Sequence, residues 1–153
     1  MSKKMRLSAI ACLLVVTCYA LPASAFDGHD KFVANCSGCH GENAKGIEGM
    51  APSLYNPELW TKLGDKRNDY IAGVLTSGLS GTLKTSNSSF DGMVMPPQDF
   101  IDTADLVAIT HYILNEINHV EGGPGPGPDA VLIDKLKSAP KSHKDLQALR
   151  NGD

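Results

Sequence analysis

Hydrophobic positions along this chain fall into distinct patterns. Residues 7–21 form an almost unbroken apolar run, preceded by Lys3, Lys4 and Arg6 and followed by Ala23-Ser24-Ala25. Cations, an apolar stretch and a small-x-small exit, in that order, predict a secretory leader over 1–25, cut after Ala25. The run is about 15 residues, short of the ~20 that a spanning helix needs; an uncleaved anchor is the alternative. Further on, the periodicity turns helical. Gly28, Phe32 and Cys36 recur at spacing four, which predicts a short helix over 27–34. Residues 41–56 lose all periodicity at Gly41, Gly46, Gly49 and Pro52 and read as loop. Pro57 opens about two turns that stop at Gly64. Asp65 or Asn68 caps a helix through Tyr70, Ile71, Val74 and Leu75 to Gly78. Residues 79–98 read as a long loop rich in Ser, Thr and Gly. Leu106, Ile109, Ile113 and Ile117, with Tyr112 on the flank, mark a helix from about 102 to 119.

The alternation then gives way to composition. Residues 122–128 read Gly-Gly-Pro-Gly-Pro-Gly-Pro, a linker that neither packs a core nor holds a helix. The tail over 129–153 carries Val131, Leu132, Ile133 and Leu136 in an amphipathic pattern, broken at Pro140. The organisation expected is a leader at 1–25, one domain at 26–121, the linker, and a tail that folds back, docks elsewhere or stays loose.

Charge narrows the partners. Removing residues 1–25 takes away three cations and no carboxylate, so the net charge moves from −3 to −6. Residues 26–121 hold thirteen carboxylates against six cations, whereas the tail is nearly balanced, five cations against four anions. So acidic a chain lacks the basic face that nucleic acid requires and is ill-suited to an anionic membrane surface. No stable membrane insertion is expected once the leader is cut.

Of four cysteines, Cys12 and Cys18 fall in the leader. Cys36 and Cys39 remain, in the run Cys36-Ser37-Gly38-Cys39-His40. This is the C-x-x-C-H pattern of covalent c-type haem attachment. Each thiol forms a thioether with one porphyrin vinyl, and the adjoining histidine offers an imidazole to the iron. Other readings fit less well. A structural zinc site needs four ligands and no second pair stands at a suitable spacing. A thioredoxin-like pair belongs in alternating strands and helices, and a simple disulfide leaves His40 without a role. The opposite axial position suits a thioether. Candidates in the mature chain are Met50, Met93 and Met95. Met95 is favoured because Pro96-Pro97 stiffens the chain just beyond it; Met93, two residues earlier, faces the same side of an extended segment. His111 and His119 read as surface or packing residues.

These residues together resemble class I c-type cytochromes over about residues 26–121. The resemblance rests on Gly28 and Phe32 ahead of Cys36-Ser37-Gly38-Cys39-His40-Gly41, on Ala51-Pro52-Ser53-Leu54, and on Met95-Pro96-Pro97 before a final helix. It implies a small all-α fold of four to five helices round one haem c, with His40 and Met95 as iron ligands. It implies that the Pro52 carbonyl accepts the histidine's N–H, that Gly28 and Phe32 meet Ile109 and Tyr112, and that Trp60 bonds a haem propionate. Long loop 79–93 and the tail lie outside the family's minimal pattern. The function expected is a periplasmic one-electron carrier between a dehydrogenase and a terminal oxidase or reductase, docking partners with a basic face. The alternative is a dedicated cytochrome subunit of an oxidoreductase complex, docked through its tail. No general base, catalytic cysteine or substrate metal site is apparent, so a stand-alone enzyme is not expected.

Overall fold

The computed structural model describes residues 27–85, 88–119 and 125–152. The leader region, with Cys12 and Cys18, and the first part of the Gly/Pro linker lie outside them. Six α-helices appear in chain order: α1 Asp27–His40, α2 Pro57–Leu63, α3 Arg67–Ser77, α4 Thr103–His111, α5 Ala130–Ser138 and α6 His143–Asn151. None is long and apolar enough to cross a membrane.

The first helix is longer than its sequence suggests. It does not end at residue 34 but runs through the cysteine motif to His40. Ser37 and Gly38 look like breakers, yet Ser37 Oγ donates to the Val33 carbonyl one turn back, 2.6 Å away. The stop comes at Gly41, whose φ of +73° turns the chain and whose N–H donates to Ser37 O at 2.8 Å.

α1 crosses α4 where Gly28 leaves room. A Cβ there would lie 2.6 Å from the Ala108 carbonyl oxygen, so only glycine permits this approach. Phe32 is fully buried beside Tyr112, ring centroids 5.4 Å apart, with Ile109 in the same core. Lys31 and Asp105 close the crossing at 2.9 Å.

Three further elements differ from the pattern reading. α3 begins at Arg67 with no side-chain cap and is led in by a 3-10 turn, Gly64–Lys66. Thus neither Asp65 nor Asn68 caps it, and Asn68 instead donates to the Pro126 carbonyl at 3.1 Å. The last helix of the domain is regular only to His111; Tyr112–Ile117 continues in wider π turns. Each π hydrogen bond spans one residue more than an α bond, and Asn118, directly after these turns, is fully buried. Residues 79–98 are not a plain loop. They form two nested antiparallel ladders, β1 Leu79–Ser80 with β4 Val94–Met95 and β2 Leu83–Lys84 with β3 Ser89–Phe90. Two-residue strands are too short to show an alternating signature.

The tail folds back. Ile133, Leu136 and Leu146 are buried in the same core as α3 and α4. Leu146 seats on Gly73: a Cβ there would stand 2.7 Å from Leu146 Cδ2, so that side chain would have to shift. Asp129 caps α5 by accepting from Leu132 N, and Ser142 caps α6 by accepting from Asp145 N. Lys141 pairs with Asp69 at 3.4 Å.

Candidate functional site

α1 places Cys36, Cys39 and His40 at spacings of three and four, so one face of the helix carries all three. They line an apolar cleft with about 1450 Å³ of empty space, open mouth included. The thiols form no disulfide. Cys36 is pushed up to about 11 by burial and, secondarily, by Cys39 beside it. A thioredoxin-like nucleophile needs the opposite shift.

His40 is buried, and its Nδ1 lies 3.2 Å from the Pro52 carbonyl. A carbonyl oxygen only accepts, so Nδ1 carries the proton and Nε2 keeps its lone pair. Burial lowers the His40 pKa, opposed in part by the Pro52 bond. The imidazole is therefore neutral at physiological pH, the form that ligates a metal. The loop that delivers Pro52 is shaped by Gly46, at φ +79°, where a Cβ would lie 2.5 Å from Ala51 O.

The ladder carrying Met95, in register with Leu79, lines the same cleft. Gly78 ends α3 at φ +72°, and a Cβ there would lie 2.4 Å from the Met95 carbonyl. The main chain of the Met-Pro-Pro stretch thus rests directly on the helix end, and Gln98 N donates to Leu75 O at 2.7 Å. All three candidate methionines line the cleft. Met95 is half-buried and packs on the core, whereas Met50 and Met93 are exposed.

Trp60 is buried and lines the cleft, but its Nε1 donates to the Leu54 carbonyl at 3.4 Å. Its N–H therefore already has a protein acceptor, which suits an anchoring side chain. Asn118 went unnoticed in the sequence. Its Nδ2 donates to Leu54 O and Ile113 O, both at 2.8 Å, and its Oδ1 accepts from Asn56 N at 2.7 Å. This pins the end of the loop that presents Pro52. The tail contributes as well. His143 Nε2 lies 3.0 Å from Ser77 O, and Gln147 Nε2 donates to Ser80 O at 3.2 Å. The first holds the end of α3, and the second holds β1, the strand that pairs with Met95. No local sequence signal marks these long-range contacts. His111 and His119 are exposed, and no cluster of three or more metal-ligating side chains exists among the described residues.

A family model described as cytochrome c matches residues 26–116. The chain belongs to the class I c-type cytochromes. As a member of that family, the cytochrome carries covalently bound haem c and transfers electrons. It is 30% identical over 112 residues to the cbb3-type cytochrome c oxidase subunit CcoP of Helicobacter pylori, which covers 72% of this chain and 31% of that subunit. It is 31% identical over 85 residues to cytochrome c-552 of Thermus thermophilus, covering 54% of this chain and 63% of that protein. The cytochrome thus spans about a third of the CcoP subunits it matches and somewhat less than two thirds of cytochrome c-552.

Proposed function

We propose that this cytochrome is an exported one-electron carrier of the periplasm, with its haem held through Cys36 and Cys39 and ligated by His40 and Met95. The single observation that carries the reading is one apolar cleft lined together by Cys36, Cys39, His40 and Met95. Donor chemistry and cavity fit the group: two unpaired thiols, a neutral imidazole with Nε2 available, a thioether, and apolar walls.

When bound, the haem supplies the ferric/ferrous couple. The chain's own residues do the rest. His40 is oriented by its bond to Pro52, which also raises its basicity as a ligand. Met95, on a stiff segment, favours the reduced metal and raises the potential. Phe32, Trp60 and Leu75 exclude water from the cleft, which limits reorganisation as charge moves. The acidic surface suits partners with a basic docking face and association that weakens with salt.

The second reading, a cytochrome subunit of a terminal oxidase complex, is favoured by the similarity to CcoP over 72% of the chain. Docking through the apolar side of the tail does not suit it, because Ile133, Leu136 and Leu146 are buried against the rest of this chain. A stoichiometric partner retained at high salt supports the subunit; a monomer in the same extract supports the free carrier.

A pyridine haemochrome spectrum together with the intact mass of the exported protein tests the reading. One c-type haem per chain on a product beginning after Ala25 is expected. Exported protein without porphyrin mass, from a host competent in haem attachment, contradicts it.

A further inference from the structure

We propose that Arg150, near the end of the tail, binds a carboxylate of the haem and so makes the tail part of the cofactor site. This rests on the haem reading above and goes beyond it. Arg150 lies outside residues 26–116, so nothing in the family pattern assigns it a role.

The charge of the cleft is concentrated at one residue. Among the described residues, Arg150 is the one Asp, Glu, Lys or Arg side chain lining it. A c-type haem keeps two propionates after its vinyls have reacted, and these are anionic at neutral pH. A carboxylate entering an apolar cleft needs a partner, because an uncompensated charge there is costly. The chain offers one fixed cation, and arginine's planar fork suits a carboxylate.

The geometry leaves that fork available. Arg150 Nη1 donates to Tyr70 Oη at 3.0 Å, and Tyr70 is 4% exposed. No carboxylate pairs with Arg150 among the described residues. A guanidinium has five N–H donors, so most remain. Tyr70 Oη accepts from arginine and keeps its own proton to donate. Two donors thus converge at one corner of a cleft whose Trp60 N–H is already engaged by Leu54.

The corner is built rather than incidental. Leu146, one turn earlier on α6, is fully buried on Gly73. The helix ends at Gly152 in the left-handed region, and Lys62 Nζ donates to the Asn151 carbonyl at 2.8 Å. Arg150 is therefore carried by a helix anchored at both ends.

The test compares haem-loaded wild type, Arg150→Gln and Arg150→Lys by midpoint potential across a pH series. Other titratable groups near this corner are Tyr70 on α3, Lys62 on α2, His143 at the head of α6 and the Asp69–Lys141 pair, and all are common to the three proteins. Loss of a cation beside the haem favours the ferric state and raises the propionate pKa. The expected result is a lower potential in Arg150→Gln, with a pH dependence shifted to higher pH than in wild type. Arg150→Lys keeps the charge and lies between. Wild-type potential and pH profile in Arg150→Gln, even with a lowered melting temperature, would overturn the proposal and leave Arg150 as a structural partner of Tyr70. If Arg150→Gln does not accumulate, Tyr70→Phe replaces it. That variant keeps the cation but removes the Tyr70 O–H donor and the acceptor that aims the fork, so a raised propionate pKa is expected and an unchanged one counts against the proposal. Wild type without haem defeats the carrier reading instead, a separate outcome.

Discussion

The two walls of the cleft are assembled in opposite ways. One helix and the loop after it make the wall with Cys36, Cys39 and His40, and its key bond, His40 to Pro52, spans 12 residues. The wall with Met95 draws on α3, β1, β4 and α6, and its tail contacts span 66 and 67 residues. Local closure is cheap in chain entropy, and distant closure costs more. The Met95 wall also rests on two-residue strands and partly exposed contacts, features of segments that open first. The proposed haem attachment and distal ligation therefore draw on separate parts of the chain. The tail, outside the family match, belongs to the second.

The largest expected effect is on the attachment wall. With Cys36→Ala and Cys39→Ala together, the protein made without haem is expected to be largely unfolded, because the haem completes the core. Helical circular dichroism with a cooperative melt would show that the polypeptide core suffices. Next comes Leu146→Ala, which empties a fully buried site on α6. It is expected to destabilise the holoprotein by about 2–5 kcal/mol, measured by denaturant unfolding. The contrast between the walls sharpens here. During a thermal ramp the methionine–iron absorption of this variant should be lost before its helical signal, and simultaneous loss would argue that the walls open as one.

A smaller effect is expected from Gly78→Ala. Both the positive φ and the approach of the Met95 carbonyl oppose a side chain there, and a cost of about 1–3 kcal/mol follows. Equilibrium unfolding measures it, and a neutral result would mean the Met-Pro-Pro stretch is not braced on α3. The smallest effect concerns docking. Association with a basic redox partner should slow as ionic strength rises, followed by stopped-flow electron transfer. A salt-independent rate would remove the acidic face from the account.

What the sequence made legible follows the same division. The cysteine motif, Gly28, Phe32 and the aliphatic face of α4 act through spacings of three and four, and they were readable as such. The small all-α cytochrome fold was legible for the same reason. The extension of α1 to His40 was not, since Ser37 and Gly38 look like breakers until the Ser37 bond to Val33 is seen. The ladders were hidden because paired strands of two residues leave no period. Asn118 was hidden because a π turn changes which residues face inward. The docking of α6 brings Leu146 onto Gly73 across more than seventy residues, and no local pattern encodes such a fit.

In the proposed arrangement, His40 from the locally closed part and Met95 from the assembled part close on one iron. The most direct measurement is the red-edge methionine–iron absorption band of the oxidised, haem-loaded protein, compared among wild type, Met95→Ala and Met93→Ala. The band is expected in wild type and Met93→Ala and is expected to be lost in Met95→Ala. A band that survives Met95→Ala and disappears in Met93→Ala would contradict it.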